Sequence, residues 1–346
     1  MPPNAPPRPA SRQPLPATLV LTEPLPDAGM RKLAERPELR LLVLPAPSAA
    51  ELARALPQAD GVIMVMEQPA LPAALIERAA RLRVACRMGA GYDNIDVQAL
   101  TQRRIPLATT GAANARTVAE HALYLMLALA KRGPALERAV KGGAWPRGFG
   151  AIELAGRSTL VVGYGRIGRE VARLAAAFAM RIVVVDPHVP SDAVTRDGFA
   201  RAASLADGLR DADFVVLACA LGPATRGLID AEAFARMKPG AFIVNVARGP
   251  VIDEAALVAA LAEGRIAGAG LDVLEREPPR PGHPLLSRDD VVLTPHTAAY
   301  VDTAFERMAL ACATNALAGL DGTLDPTAVV NPEVLAAREA TGARGS

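Results

Sequence analysis

Three cysteines, Cys86, Cys219 and Cys312, are all that this 346-residue sequence contains, and none forms a CxxC pair. That spacing makes neither a metal knuckle nor a disulfide framework. Isolated thiols in odd number suit a reducing cytoplasm, and Cys86 and Cys219, set in apolar runs, read as small buried hydrophobes. Histidine is also sparse. His121 falls inside a helical pattern, His188 follows an Asp-Pro pair and His283 lies between Gly282 and Pro284. None has a second ligand type beside it, so no metal site is expected. Charge of either sign is not in excess: 38 Lys and Arg face 36 Asp and Glu, a formal balance of +2. That excludes the basic footprint of a nucleic-acid binder and a polybasic membrane patch. No apolar run approaches the ~18 residues of a membrane-spanning helix. Residues 1–15 are Pro-rich and lack the continuous apolar core of a secretory signal, so they read as a disordered tail.

Apolar residues make up 51% of the chain, enough for a substantial core, and the length suggests two domains. Short Val/Ile/Leu runs at 18–21, 41–44, 62–65 and 83–86 alternate with helical patterns. A second series follows at 159–162, 181–185, 214–218, 242–246, 269–273 and 291–294. Continuous apolar strands separated by helices predict parallel sheets buried on both faces, hence an α/β, doubly wound architecture. Long helices are predicted at 114–132 and 302–320. If the last helix returns to the first domain, the second domain is an insertion, and the chain crosses between them near residues 112–116 and 298–303. The expected division is then 16–115 with 300–335 for one domain and 116–299 for the other.

The run LVVGYGRIG (160–168) leads a strand into GxGxxG. Gly163 permits the tight turn, Gly165 lets backbone approach a pyrophosphate, and Gly168 lets the next helix pack on the strand. The start of that helix, with Arg166 and Ile167, presents backbone N–H groups and a positive dipole end to phosphate. Gly-rich turns occur by chance, but here a second strand follows and ends in Asp186, eighteen positions after Gly168. An acid there reads the ribose 2′-hydroxyl and repels a 2′-phosphate, so NAD is the expected cofactor. A turn residue before Pro187 is the plainer reading of Asp186 alone.

Three later strands end in polar residues. Residues 242–246 lead into Ala247 and Arg248, 269–273 into LEREP with Glu277, and 291–294 into Pro295 and His296. In open parallel sheets ligands sit at the carboxyl ends of strands. A cation, a carboxylate and an imidazole delivered to one sheet edge suit redox chemistry on a 2-hydroxy or 2-oxo acid. His296 gives or takes the proton, Glu277 fixes its tautomer and favours its protonated form, and Arg248 offers a planar fork to the substrate's carboxylate. Each has a plainer reading: a surface arginine before Gly249-Pro250, a solvated loop acid, a core histidine. The combination beside a dinucleotide loop carries the argument.

Six segments in order, GAGYDNID (89–96), VAEH (118–121), the glycine loop, NVARG (245–249), LDVLEREP (271–278) and TPH (294–296), resemble the D-isomer-specific 2-hydroxyacid dehydrogenases. The resemblance runs from about residue 83 to about residue 320. It implies a Rossmann-type NAD domain inserted into a split flavodoxin-like substrate domain, with catalytic Arg248, Glu277 and His296. It places Asp272 near the nicotinamide and gives the backbone of Ala90 and Gly91 to the substrate carboxylate. Gly91 is also explained as a plain tight turn. Cofactor contacts are further expected from Cys219, Thr225 and Ala247. A homodimer is implied, formed by the 114–132 helix and the region of Trp145. The chain departs from the family's pattern in the segment 219–225, where Ala220 and Gly222 loosen the loop, and after His296, where Ala298 and Ala299 stand in place of glycines. Glu277 argues against formate dehydrogenases, which have Gln there. The chain ends soon after its last helix, so the extra regulatory domain of many phosphoglycerate dehydrogenases is not expected. The expected substrates are 3-phosphoglycerate, with Arg87 as a candidate phosphate partner, or hydroxypyruvate and glyoxylate. An alternative of another class is an NAD-sensing corepressor that binds partner proteins and turns over little.

Overall fold

The computed structural model describes residues 16–148 and 150–336; the expected disordered tail at 1–15 lies outside them. The chain divides into two compact units. Among the described residues, one holds 16–88, Asn94–Thr109 and 309–336; the other holds Gly89–Asp93 and Thr110–Met308. The second division falls inside the helix Asp302–Asp321, downstream of the boundary expected at its start. The segment Gly89–Asp93 groups with the second unit.

The first unit is built on five parallel strands, β1 (Thr18–Leu21), β2 (Arg40–Val43), β3 (Gly61–Met64), β4 (Val84–Arg87) and β5 (Leu107–Thr109), in the order β2-β1-β3-β4-β5. That is the flavodoxin-like order. The second unit has seven: β6 (Ser158–Val162), β7 (Arg181–Val185), β8 (Ala200–Arg201), β9 (Phe214–Leu217), β10 (Phe242–Asn245), β11 (Gly268–Leu271) and β12 (Val291–Leu293). Their order is β12-β11-β10-β9-β6-β7-β8, every pair parallel. Order reverses between β6 and β9, the switch point of a Rossmann sheet, where ligands bind.

Alternation along these strands fills two cores. Val161, Val184, Val216 and Val244 face one, while Leu160, Val162, Val215, Leu217 and Ile243 face the other. Burial on both faces is why the strands are continuously apolar rather than alternating. Strands β5 and β8 were not legible, being three and two residues long, with both residues of the second exposed. The helix Gly111–Ala130 begins three residues earlier than its pattern suggests. A further helix, Gly133–Lys141, follows it, because Arg132 adopts a left-handed conformation and Pro134 starts the next helix.

Glycines in β11 let the long helix approach. A Cβ on Gly270 would lie 2.9 Å from Leu125 Cβ, and one on Gly268 would lie 3.3 Å from Leu129. This close approach carries His121, on the same helix, to the ends of β11 and β12.

Candidate active site

The glycine loop follows β6. Gly163 has φ +91° and sits so near the β9 end that a Cβ would lie 2.7 Å from Cys219 Cα. A Cβ on Gly168 would lie 2.0 Å from the Gly163 carbonyl oxygen. Gly165 is different: a Cβ there meets no protein atom within 4 Å, and it caps the helix Arg166–Ala177 without a side chain. Two glycines thus close the turn on itself, and the third leaves its outer side open above a helix N-terminus. This geometry fits a dinucleotide pyrophosphate. Arg166 is exposed at the loop and Ile167 half-buried against the core.

Asp186 directly follows β7 and accepts two backbone N–H groups, from Tyr164 at 2.7 Å and His188 at 2.8 Å. It therefore braces the glycine loop. Tyr164 is buried. Its hydroxyl donates to Asp197 at 2.7 Å, and Arg169 pairs with the same carboxylate at 2.6 Å while stacking 4.4 Å from the ring. Burial, then the bond to and the charge of Asp197, push the Tyr164 phenol up to about 12. Cys219 is only partly buried, unlike Cys86 and Cys312; burial pushes its thiol up to about 11. Thr225 spends its hydroxyl inside its own loop, accepting from Gly222 N–H at 2.8 Å and donating to the Ala220 carbonyl at 2.7 Å.

The three strand-end residues are shaped by neighbours that sequence reasoning passed over. Asn245, fully buried, accepts from Ala247 N–H at 3.0 Å and donates to the Arg248 carbonyl at 2.9 Å, folding the turn that carries Arg248. Glu254 opens the helix Glu254–Ala262, capped by Asp253. Its carboxylate accepts from Glu275 N–H at 3.1 Å and pairs with His283 at 2.9 Å, bracing the loop that bears Glu277.

Glu277 accepts from Leu274 N–H at 3.0 Å through one oxygen and meets His296 Nδ1 at 2.8 Å through the other. Burial opposes its ionisation. The bonds from His296 and Leu274, with the charges of His296 and Arg248, outweigh burial and hold its carboxyl below the usual value. A carboxylate can only accept, so Nδ1 carries a proton.

His296 adopts φ +54°, a conformation costing about 1–3 kcal/mol that persists only where the surroundings over-determine it. Asp272 does so. Its carbonyl accepts His296 N–H at 2.7 Å, and its buried carboxylate accepts Thr297 N–H at 2.9 Å, Ala298 N–H at 3.0 Å and the Thr294 hydroxyl at 2.6 Å. His121 Nε2 lies 2.8 Å from Thr294 Oγ1. Because the Thr294 proton goes to Asp272, Nε2 is the donor, which fixes the His121 tautomer. Burial lowers the His121 pKa, against the pull of Asp272. The signal for His121 was its place in VAEH, but its contacts needed the helix packed over β11. Besides its bonds to the turn that carries His296, the Asp272 carboxylate lies 3.4 Å from His121 Nε2.

Ala90 and Gly91 lie in the Gly89–Asp93 segment beside Arg248. Gly91 is not at positive φ, so the tight-turn account of it does not hold: its missing side chain makes room for the guanidinium. Arg87 faces inward, 3% exposed, donating to Val65 O at 2.7 Å, to Met88 O, and to Glu67 at 2.6 Å. Those commitments remove it as a phosphate partner. Among the described residues there is no cluster of three or more His, Cys, Asp or Glu suited to a metal, and no helix long and apolar enough to cross a membrane.

Residues 123–298 match the NAD-binding domain of the D-isomer specific 2-hydroxyacid dehydrogenases, and the chain belongs to that family. It is 40% identical over 253 residues to a D-3-phosphoglycerate dehydrogenase of Archaeoglobus fulgidus, a match covering 73% of this chain and 48% of that protein. The chain thus spans about half the length of that relative. It is 37% identical over 335 residues to a glyoxylate reductase of Pyrococcus furiosus, covering 92% of this chain and 96% of that one. The crystal structure of D-lactate dehydrogenase from Aquifex aeolicus, complexed with NAD and lactic acid, aligns with a TM-score of 0.80 at 26% identity over 91% of this chain and 99% of the other. The second unit is therefore an NAD-binding Rossmann domain.

Proposed function

We propose that this protein is an oxidoreductase that moves a hydride between NAD(H) and a small D-2-hydroxy or 2-oxo acid. The observation that carries the reading is the 2.8 Å His296–Glu277 pair at the carboxyl edge of the Rossmann sheet, with Arg248 close enough for its charge to act on Glu277. Gly163, Gly165, Gly168 and the helix start at Arg166 and Ile167 hold the pyrophosphate, Asp186 the ribose, and Cys219, Thr225 and Ala247 line the remainder. When bound, NADH supplies the hydride. Arg248 and the backbone of Ala90 and Gly91 bind the acid's carboxylate, and His296 Nε2 delivers a proton to the carbonyl oxygen as it gains charge. Glu277 stabilises the protonated imidazole, and Asp272, with Thr294 and His121 behind it, keeps the His296 turn in place. With Arg87 committed elsewhere, the one residue singled out for a phosphorylated substrate is withdrawn, and glyoxylate and hydroxypyruvate are the substrates of choice. NADH deuterated at C4 with glyoxylate should give glycolate carrying deuterium at C2; label washed into water would contradict direct hydride transfer.

Reduction requires protonated His296, so its rate should fall as pH rises through the histidine's pKa. Glu277, held low, adds no titration until pH drops below the ordinary carboxyl range. Glu277→Gln removes the charge that favours the imidazolium, so the alkaline limb of kcat/KM for reduction should move to lower pH. A limb that stays in place would detach Glu277 from His296.

On the same reading the chain is a cytoplasmic homodimer. Tyr124, Leu127, Leu174 and Phe178 line an open groove of about 630 Å³; Tyr124 and Phe178 are exposed, and Trp145 is 78% exposed. Exposed aromatics in such numbers suit a subunit contact. Sedimentation velocity should give a dimer, and Tyr124→Asp with Phe178→Asp a monomer. A monomeric parent at tens of micromolar would end this proposal.

A further inference from the structure

We propose that Asp93 is a positioning residue that sets the orientation of Arg248, and that Gly91 is present to clear the same guanidinium. Asp93 Oδ1 accepts from Arg248 Nε at 2.9 Å. Nη1 donates to the carbonyl of Ala247 at 2.9 Å. A Cβ on Gly91 would lie 1.6 Å from Nη2 and 2.5 Å from Cζ. The planar group is thus held by a carboxylate on its Nε edge, by backbone at Nη1 and by a glycine surface against Nη2. These bonds use two of its five N–H donors.

A guanidinium on a flexible stem loses much of its binding advantage if it must be ordered by the ligand itself. Asp93 removes that cost in advance, by bonding at Nε and leaving Nη2 directed toward the Ala90–Gly91 backbone. This explains two features that turn geometry leaves open. Gly91 is a glycine without positive φ, and the Gly89–Asp93 segment groups with Arg248 and not with the strand β4 that precedes it.

The inference rests on the reading of Arg248 as the substrate's carboxylate partner, and the experiment separates the two. Oxamate, an unreactive analogue of a 2-oxo acid, is titrated into the enzyme–NADH complex by nicotinamide fluorescence, and glyoxylate reduction is followed in parallel. Asp93→Ala should weaken oxamate and raise the glyoxylate KM about 10-fold, the loss of one hydrogen bond to a charged group, with NADH affinity within about twofold. Asp93→Asn keeps the Oδ1 acceptor and should return both values to within about threefold of the parent. Gly91→Ala should reproduce the oxamate loss by displacing the guanidinium. Unchanged oxamate affinity in Asp93→Ala, or an Asp93→Asn as damaged as Asp93→Ala, overturns the positioning role. Arg248→Ala is the control: if it leaves oxamate binding intact, the assignment of Arg248 has failed. If it abolishes binding while Asp93→Ala does not, only the present inference has.

Discussion

Replacing His296 with alanine should lower kcat by about 10²–10⁴-fold while leaving NADH affinity within about twofold. The magnitude is that of one positioned general acid. The asymmetry follows from where its bonds go: Nδ1 is spent on Glu277 at 2.8 Å, and the exchanging Nε2 acts only when charge develops on the substrate oxygen. A residue used only in the transition state lowers kcat and kcat/KM together. The turn should survive, because Asp272 holds it through the amides of Thr297 and Ala298 and not through the imidazole. Stopped-flow NADH binding and steady-state turnover on the same preparation check both halves. Lost NADH binding would move His296 from chemistry to cofactor binding.

Asp186→Ala should weaken NADH by about 10–100-fold, the loss of one or two hydrogen bonds to a charged group, and NADPH much less, so that the preference between them collapses. Two terms act together. The carboxylate proposed to read the ribose hydroxyls and repel a 2′-phosphate disappears. The amide of Tyr164, in the middle of the glycine loop, also loses its acceptor, which loosens the cradle for either nucleotide. The second term is why NADPH should not gain outright. Fluorescence titration of both nucleotides measures the ratio; an unchanged ratio would take Asp186 out of the ribose site.

Much of the fold could be read from the sequence, because parallel strands buried on both faces are continuously apolar and stand out between helices. The strands at 18–21 and 181–185 end where the pattern ends; the two short edge strands carry too few side chains to make a pattern. The grouping of Arg248, Glu277 and His296 was legible because such residue types are unusual at strand ends. The site was opaque where function depends on long-range contact. His121 and Thr294 are separated by 173 positions and Asp93 and Arg248 by 155, and nothing local in either pair signals the other. The tight-turn alternative for Gly91 fails for a related reason: a glycine required by a neighbour's side chain looks, in sequence, like one required by a turn. Arg87 beside the GAGYDN segment suggested a ligand, but burial turned its charge toward Glu67 and two carbonyls.

The central claim is tested most directly by following the loss of reduced nicotinamide absorbance with NADH or NADPH and a panel of glyoxylate, hydroxypyruvate, pyruvate, phenylpyruvate and 3-phosphohydroxypyruvate. The account predicts turnover with NADH in preference to NADPH, fastest with glyoxylate or hydroxypyruvate. Tight NADH binding with no turnover of any of the five would contradict it and favour an NAD-sensing binding protein.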